Sequence, residues 1–206
     1  MEARTPAGVL RPANNAATMK LLSLLRGLCT AAACLAVLAS PARADEAAWS
    51  AMSDGAIVLL RHANAPGGGD PPGFKLDDCR TQRNLDEAGR AQARRIGQAF
   101  RERGITVGGV RSSQWCRARE TADLAFPKLR RDEPAFNSFF SARETEPAQT
   151  AAARRLLSRW QGPGVLVVVA HQVNITALTG VAPASGEMVV ARVVDGQLQV
   201  LGRAAP

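Results

Sequence analysis

The chain of 206 residues has no tyrosine, and aromatic residues make up only 4% of it. Whatever core it buries must therefore be aliphatic, built from Leu, Val and Ala. Cysteine is scarce as well: four in all, Cys29, Cys34, Cys79 and Cys116. That excludes a small cystine-stapled scaffold, and the lack of any CxxC or close histidine pair argues against a zinc site. Histidine occurs only twice, at His62 and His171, with no HExxH around either. No apolar run reaches the roughly 20 residues that a membrane-spanning helix needs. What is present is an apolar share of 46% against 21% charged residues, which excludes disorder and collagen and fits one globular domain.

The formal charge of +8 would point to an anionic partner, were it not unevenly placed. Residues 19–44 read as a secretory signal peptide: Met19, Lys20 and Arg26 form a basic start, Leu28 to Ala39 a short apolar stretch, and Ala42-Arg43-Ala44 a small-x-small cleavage site. Cleavage after Ala44 would open the mature chain at Asp45, and residues 1–18 would be an artefactual upstream start. Residues 1–44 hold five basic side chains (Arg4, Arg11, Lys20, Arg26, Arg43) and one acidic (Glu2), so without them the excess falls to +4. No Lys/Arg run interleaved with aromatics remains after that, so nucleic acid is not an expected partner. The expected location is periplasmic or secreted, with no stable membrane anchor.

From Asp45 on, short aliphatic runs alternate with longer amphipathic ones, the pattern of βαβ units around a mostly parallel sheet. Strands are expected at Ala56 to Leu60, Ile105 to Val110 and Gly164 to Ala170, and a closing hairpin at Met188 to Val194 and Gln197 to Gly202, turning at Asp195-Gly196. Helices are expected from an Asn84 cap to about Arg103, over Cys116 to Ala125, and over Thr150 to Trp160. Gln92 is the one polar residue on the apolar stripe of the first. Gly67-Gly68-Gly69-Asp70-Pro71-Pro72-Gly73 can only be an irregular loop. The resulting class is an α/β three-layer sandwich formed by a single domain, 45–206.

Both histidines stand where a buried strand ends, His62 after Leu59-Leu60-Arg61 and His171 after Val168-Val169-Ala170. The carboxyl ends of parallel strands share one sheet edge, and ligands bind along that edge. Arg61 points to the same crevice. Arg117 falls in the first turn of a helix that starts there, where a cation opposes the helix dipole unless an anion lies between them.

Leu59-Leu60-Arg61-His62-Ala63, then Ser113-x-x-x-Arg117-Ala118-x-x-Thr121-Ala122, then Val169-Ala170-His171 resemble the histidine phosphatase superfamily in sequence and in order. Leu85-x-x-x-Gly89-x-x-Gln92-Ala93 is similar to that family too, and Ala63 stands where its triplet has Gly. Asp77-Asp78-Cys79 with Gln82-Arg83-Asn84, and His171-Gln172-Val173-Asn174, resemble its exported bacterial members, some of which are similar to phosphatases of lipopolysaccharide core heptose phosphate. The resemblance implies a phosphoglycerate mutase-like fold and a phosphomonoesterase acting on a small phosphorylated substrate, with no cofactor and no metal. His62 would be the nucleophile, and Arg61, Arg117 and His171 would hold the phosphoryl oxygens.

The proton donor is the least defined part. Many relatives carry a Glu after their third strand, and the corresponding region here, Phe136-Asn137-Ser138-Phe139-Phe140, holds no acid. Glu144 is the favoured candidate, with Glu146, Asp77 and Asp78 as alternatives. If the fold is right, Cys79 and Cys116 share the carboxyl-end rim and are expected to form a disulfide; two free thiols are the alternative. Two other readings stay open: a non-catalytic periplasmic module that binds phosphate or phospho-sugar on the same fold, and a metal-dependent hydrolase using both histidines.

Overall fold

A computed structural model describes residues 41–206, with side chains from Asp45 onward. Residues 1–18 and most of the expected signal peptide (19–44) lie outside the described residues. Helix α1 (Pro41–Ser50) spans the expected junction at Ala44 and leads to strand β1 (Ile57–Arg61). There follow α2 (Glu87–Glu102), β2 (Val107–Ser112), α3 (Cys116–Ala125) and the short β3 (Arg130–Asp132). The chain then runs through α4 (Glu146–Leu157), β4 (Val165–Ala170), α5 (Gln172–Thr179) and the hairpin β5 (Met188–Val194) and β6 (Gln197–Ala204). Among the described residues no helix is long and apolar enough to cross a membrane.

The six strands form one sheet in the order β3-β2-β4-β1-β5-β6. The first four are parallel, β5 is antiparallel to β1, and β6 is antiparallel to β5. Alternation along the buried strands divides the core in two, because successive side chains leave opposite faces. Val58, Leu60, Val167, Val169 and Val190 pack under Trp49, Ile96, Phe100 and Ala122 from α1, α2 and α3. Ile57, Leu59, Leu166, Val168 and Val189 pack against Phe136, Ala153, Leu157 and Ile175 on the other side. The expected three-layer α/β sandwich is the architecture found.

Several boundaries differ from expectation. Asp86, not Asn84, caps α2, its carboxylate accepting from Gly89 N at 2.7 Å. Asn84 is used one turn earlier, donating to the carbonyls of Cys79 and Gln82. The second strand lies two residues further on than its pattern suggests, since the register against β4 shifts between Val107 and Gly109. A side chain at Gly108 would collide with the Pro163 carbonyl, 1.8 Å from an ideal Cβ. Helix α4 starts four residues early, with Pro147 in its first turn, where a missing N–H costs nothing. The hairpin turn has Asp195 and Gly196 both at positive φ, as a tight two-residue turn requires.

Between β1 and α2 the long loop is fastened at its far end. Cys79 lies in a single 3-10 turn (Cys79–Thr81) and is joined by a disulfide to Cys116 at the start of α3, with the Cα atoms 5.7 Å apart. Gln82 reinforces the link, its Oε1 accepting from Cys116 N at 3.0 Å. The two cysteines are 37 residues apart in sequence. For a loop of that size, chain entropy gives a stabilisation of about 3–4 kcal/mol. The double variant Cys79→Ser/Cys116→Ser should lose about that much in urea denaturation relative to the oxidised protein, and an unchanged midpoint would show that the bridge is structurally idle.

Candidate active site

The sheet places the predicted residues together. In the β1–β4 register Arg61 is opposite Ala170, so the next residues, His62 and His171, emerge side by side at the carboxyl edge. Their rings lie 5.3 Å apart, edge to face, and both are buried. The His62 backbone N–H is tied to the Ala170 carbonyl at 3.0 Å, and Ser113 N–H to the Val169 carbonyl at 2.9 Å. Arg117 projects from the first turn of α3 into the same space.

The hydrogen bonds specify the state of each ring. His62 Nδ1 lies 2.8 Å from the Ala63 carbonyl, which can only accept, so Nδ1 carries the proton and Nε2 the lone pair. Arg117 Nε donates to that Nε2 at 3.2 Å. Ser113 Oγ is 2.8 Å from His171 Nε2, and Arg117 Nη2 is 3.4 Å from His171 Nδ1. Thr121 braces the arrangement from the next turn of α3, its hydroxyl accepting from Ala63 N–H and donating to the Arg117 carbonyl. Gln92, the polar residue on the apolar stripe of α2, is a clamp: Oε1 accepts from Asn64 N–H at 2.9 Å and Nε2 donates to the Ser185 carbonyl at 2.8 Å.

Burial, followed by the neighbouring Arg117 charge, lowers His62 to a pKa of about 3, against the weaker opposing effect of its Ala63 bond. Burial first, then His62 and Arg117, lowers His171 well below the ordinary histidine value. Both rings are neutral at neutral pH, so His62 Nε2 keeps its lone pair, which here accepts from Arg117 Nε. Arg61 donates through Nη1 to the Pro183 carbonyl at 2.9 Å, and its Nε is buried without a partner among the described residues. Arg83, present in the sequence only as part of the family-like stretch before α2, also lines the cavity. It too holds a backbone carbonyl, that of Ala65, and has a buried Nε without a partner. Unpaired guanidinium donors around one cavity are the fittings of an anion site.

One residue that sequence reasoning placed merely in an irregular loop occupies the centre. Asp70, its side chain only 8% exposed, accepts from Arg117 Nη1 at 2.7 Å and Nη2 at 3.1 Å. It also takes Arg83 N–H at 3.1 Å and Trp115 Nε1 at 2.9 Å. Burial alone would raise its pKa, but the bonds and charge of Arg117 override that and hold it below the usual carboxylate value. Asp70 is thus the anion that a cation at the start of α3 demanded. The one signal in the sequence was an acid amid glycines and prolines a few residues after His62.

The carboxylates named as proton donors lie elsewhere. Glu144 is exposed in a 3-10 turn (Arg143–Thr145), and Glu146 opens α4 with its carboxylate 3.8 Å from Arg143. Asp78 caps its own turn and pairs with Arg80, and Asp77 is exposed. None of the four lines the cavity over the histidines, a space of about 440 Å³ whose outer wall includes Phe74, Trp115, Phe140, Arg143 and Val173. A larger hollow of about 580 Å³, lined in part by Trp49 and Arg103, lies at the opposite, amino end of the strands and contains no histidine.

Residues 57–136 match the histidine phosphatase superfamily (branch 1). The chain has the histidine phosphatase fold. The protein histidine phosphatase SixA, solved with tungstate, superposes with a TM-score of 0.51 at 14% identity, over 73% of this chain and 97% of SixA. A mycobacterial glucosyl-3-phosphoglycerate phosphatase gives 0.54 at 17% identity, over 73% of this chain and 99% of its own. No curated protein matches the chain in sequence. In this histidine phosphatase fold, Arg61, His62, Arg117 and His171 form one cluster at the carboxyl edge, joined by Arg83 and Asp70.

His62 and His171 are the only histidines in the chain, so stability between pH 7 and 5 should depend on them. A histidine lowered in the folded state contributes stability that is fully present above the unfolded value near 6.5 and is lost as the pH falls towards the folded value, here about 3 for His62. The expected slope is up to about 1.4 kcal/mol per pH unit for each ring. Urea denaturation at pH 7, 6 and 5 should show this fall, and His62→Asn should roughly halve it. A flat profile in the parent protein would contradict neutral buried rings.

Proposed function

We propose that the protein is a metal-independent phosphomonoesterase that transfers the phosphoryl group of a small substrate to His62 and then to water. The observation that carries this reading is the fixed His62 ring. Its Nδ1 proton is committed to the Ala63 carbonyl, and its neutral Nε2 faces a cavity lined by Arg61, Arg83 and Arg117. Phosphoryl transfer needs an in-line nucleophile and positive charge around the equatorial oxygens, and little else from the protein. Guanidinium forks suit those oxygens in a way that a lysine cannot copy. His171, whose Nε2 donates to the Ser113 hydroxyl, accepts from Arg117 Nη2 through Nδ1 and so steadies the guanidinium beside the same cavity.

The tungstate complexed with SixA supports oxyanion binding by this fold, and the glucosylated phosphoglycerate in the name of the mycobacterial neighbour supports a small sugar-bearing phosphate ester as the substrate class to test first. The resemblance of the Asp77–Asn84 stretch to exported bacterial members, some of which resemble phosphatases of lipopolysaccharide core heptose phosphate, points the same way. Export through cleavage after Ala44 agrees with the signal-like composition of residues 19–44.

Turnover of p-nitrophenyl phosphate should persist in EDTA, and His62→Ala should reduce it at least about 10³-fold with the fold retained. Denaturation at alkaline pH during turnover should trap phosphate on His62 that acid then releases. Phosphate binding without turnover would establish the binding module instead, and loss of activity in EDTA a metal-dependent hydrolase. The protein should be recovered from the periplasm beginning at Asp45; recovery only from the cytoplasm would refute export, and an intact leader on the periplasmic chain would refute cleavage after Ala44.

A further inference from the structure

We propose that Asp70 is the proton donor to the leaving group, held on Arg117 in the free protein and released when a phosphoryl group takes its place. This rests on the phosphohydrolase reading and adds the residue that reading lacks. Among the described residues lining the cavity, Asp70 is the one carboxylate. Its two oxygens take the two terminal nitrogens of Arg117, the same bidentate grip that two phosphoryl oxygens would use. The same guanidinium contacts His62 Nε2 through its Nε, so the carboxylate is one residue removed from the attacking atom.

The loop that carries Asp70 is built to move it. Gly67, Gly69 and Gly73 have φ of +94°, +76° and +73°, and residues 66–68 and 71–73 are exposed while the carboxylate they deliver is buried. Two of its four bonds, from Arg83 N–H and Trp115 Nε1, do not use Arg117. They can keep the carboxyl group at the cavity wall after the phosphoryl group has taken the guanidinium. Arg117 and Trp115 face Asp70 from the start of α3, Arg83 from the segment before α2, Arg61 and His62 from the end of β1, and His171 from the end of β4. With Arg117 as partner the carboxyl is an anion. Once Arg117 is neutralised by a phosphate dianion, the carboxyl binds a proton far more readily.

The chemistry then balances. His62 Nε2 forms a bond to phosphorus as the bond from phosphorus to the ester oxygen breaks, and the Asp70 proton goes to that oxygen, releasing an alcohol and leaving Asp70 a carboxylate. In the second step water attacks phosphorus, gives a proton to Asp70, and the phosphorus–nitrogen bond breaks. His62 is then neutral again, and Asp70 protonated beside inorganic phosphate. As phosphate leaves, Asp70 loses the proton to solvent and rejoins Arg117.

The experiment compares Asp70→Asn and Asp70→Glu with the parent protein on two esters, p-nitrophenyl phosphate, whose leaving group needs no proton, and glycerol 2-phosphate, whose leaving group does. Asp70→Asn should lose about 100-fold or more in kcat on glycerol 2-phosphate but less than about 10-fold on p-nitrophenyl phosphate, and the latter activity also shows that the variant is folded. The alkaline limb of the kcat profile on glycerol 2-phosphate should disappear in Asp70→Asn and return in Asp70→Glu with part of the rate. Inorganic phosphate should inhibit Asp70→Asn about 10-fold more tightly, because the internal anion is gone. Equal losses on both esters, or no loss on glycerol 2-phosphate, would overturn the proton-donor role. Weaker or unchanged phosphate inhibition would overturn the occupancy of the phosphoryl position. If the parent protein turns over neither ester and His62 takes up no phosphate, the phosphohydrolase reading fails and this inference goes with it.

Discussion

Everything at the carboxyl edge of the sheet depends on one buried guanidinium. Arg117 is 3% exposed and sits in the first turn of a helix, where the local dipole is already positive. Such a charge is tolerated only with an anion against it, and removing one partner of a buried pair typically costs about 3–5 kcal/mol. Asp70 meets that requirement in the free protein. The glycine loop, the Trp115 indole and the Arg83 backbone are arranged to bring it there. A phosphoryl group satisfies the same requirement with more charge and a tetrahedral set of oxygens. The buried cation thus presents to the cavity a geometry that a carboxylate and a phosphoryl group can each complete.

The sheet contributes position rather than chemistry. Parallel pairing of β1 with β4 brings two histidines 109 residues apart in sequence into edge-to-face contact, and pairing of β2 with β4 sets Ser113 beside His171. Gln92 and Thr121 then lock the backbone immediately after His62 from two helices. These bonds fix the ring whose lone pair faces the cavity, so nothing need be ordered around the nucleophile when an anion enters. The carboxylate, by contrast, is carried on an irregular glycine-rich loop outside the sheet.

What could be read from the sequence follows from periodicity. Continuous aliphatic runs such as Val165 to Ala170 declare central strands, and histidine at the end of two of them declares the functional edge. The segment Arg130–Asp132 forms a strand with no such pattern, because an exposed edge strand can be wholly charged. Asp70 was invisible for a different reason. Its partner lies 47 residues on, and the path between them is an irregular loop whose course no propensity encodes. Glu144, the candidate expected from the need for an acid near the cleft, is carried to the surface by a 3-10 turn in which the neighbouring Arg143 lines the cavity. Arg83 was present in a family-like stretch but had no periodic signal to separate it from the many other arginines.

The Cys79–Cys116 bridge has an effect beyond holding a loop. Cys116 immediately precedes Arg117, and Cys79 is four residues before Arg83, so one covalent bond spans the two segments that supply two of the pocket's guanidiniums. The spacing of those cations is set by a bond whose existence depends on the surroundings of the protein. Where thiols are kept reduced, the segments are held together only by contacts such as Gln82 with the Cys116 amide. The redox state of the compartment is thereby coupled to the spacing of the two guanidiniums, and a thiol reductant in an assay buffer would act on the cavity itself.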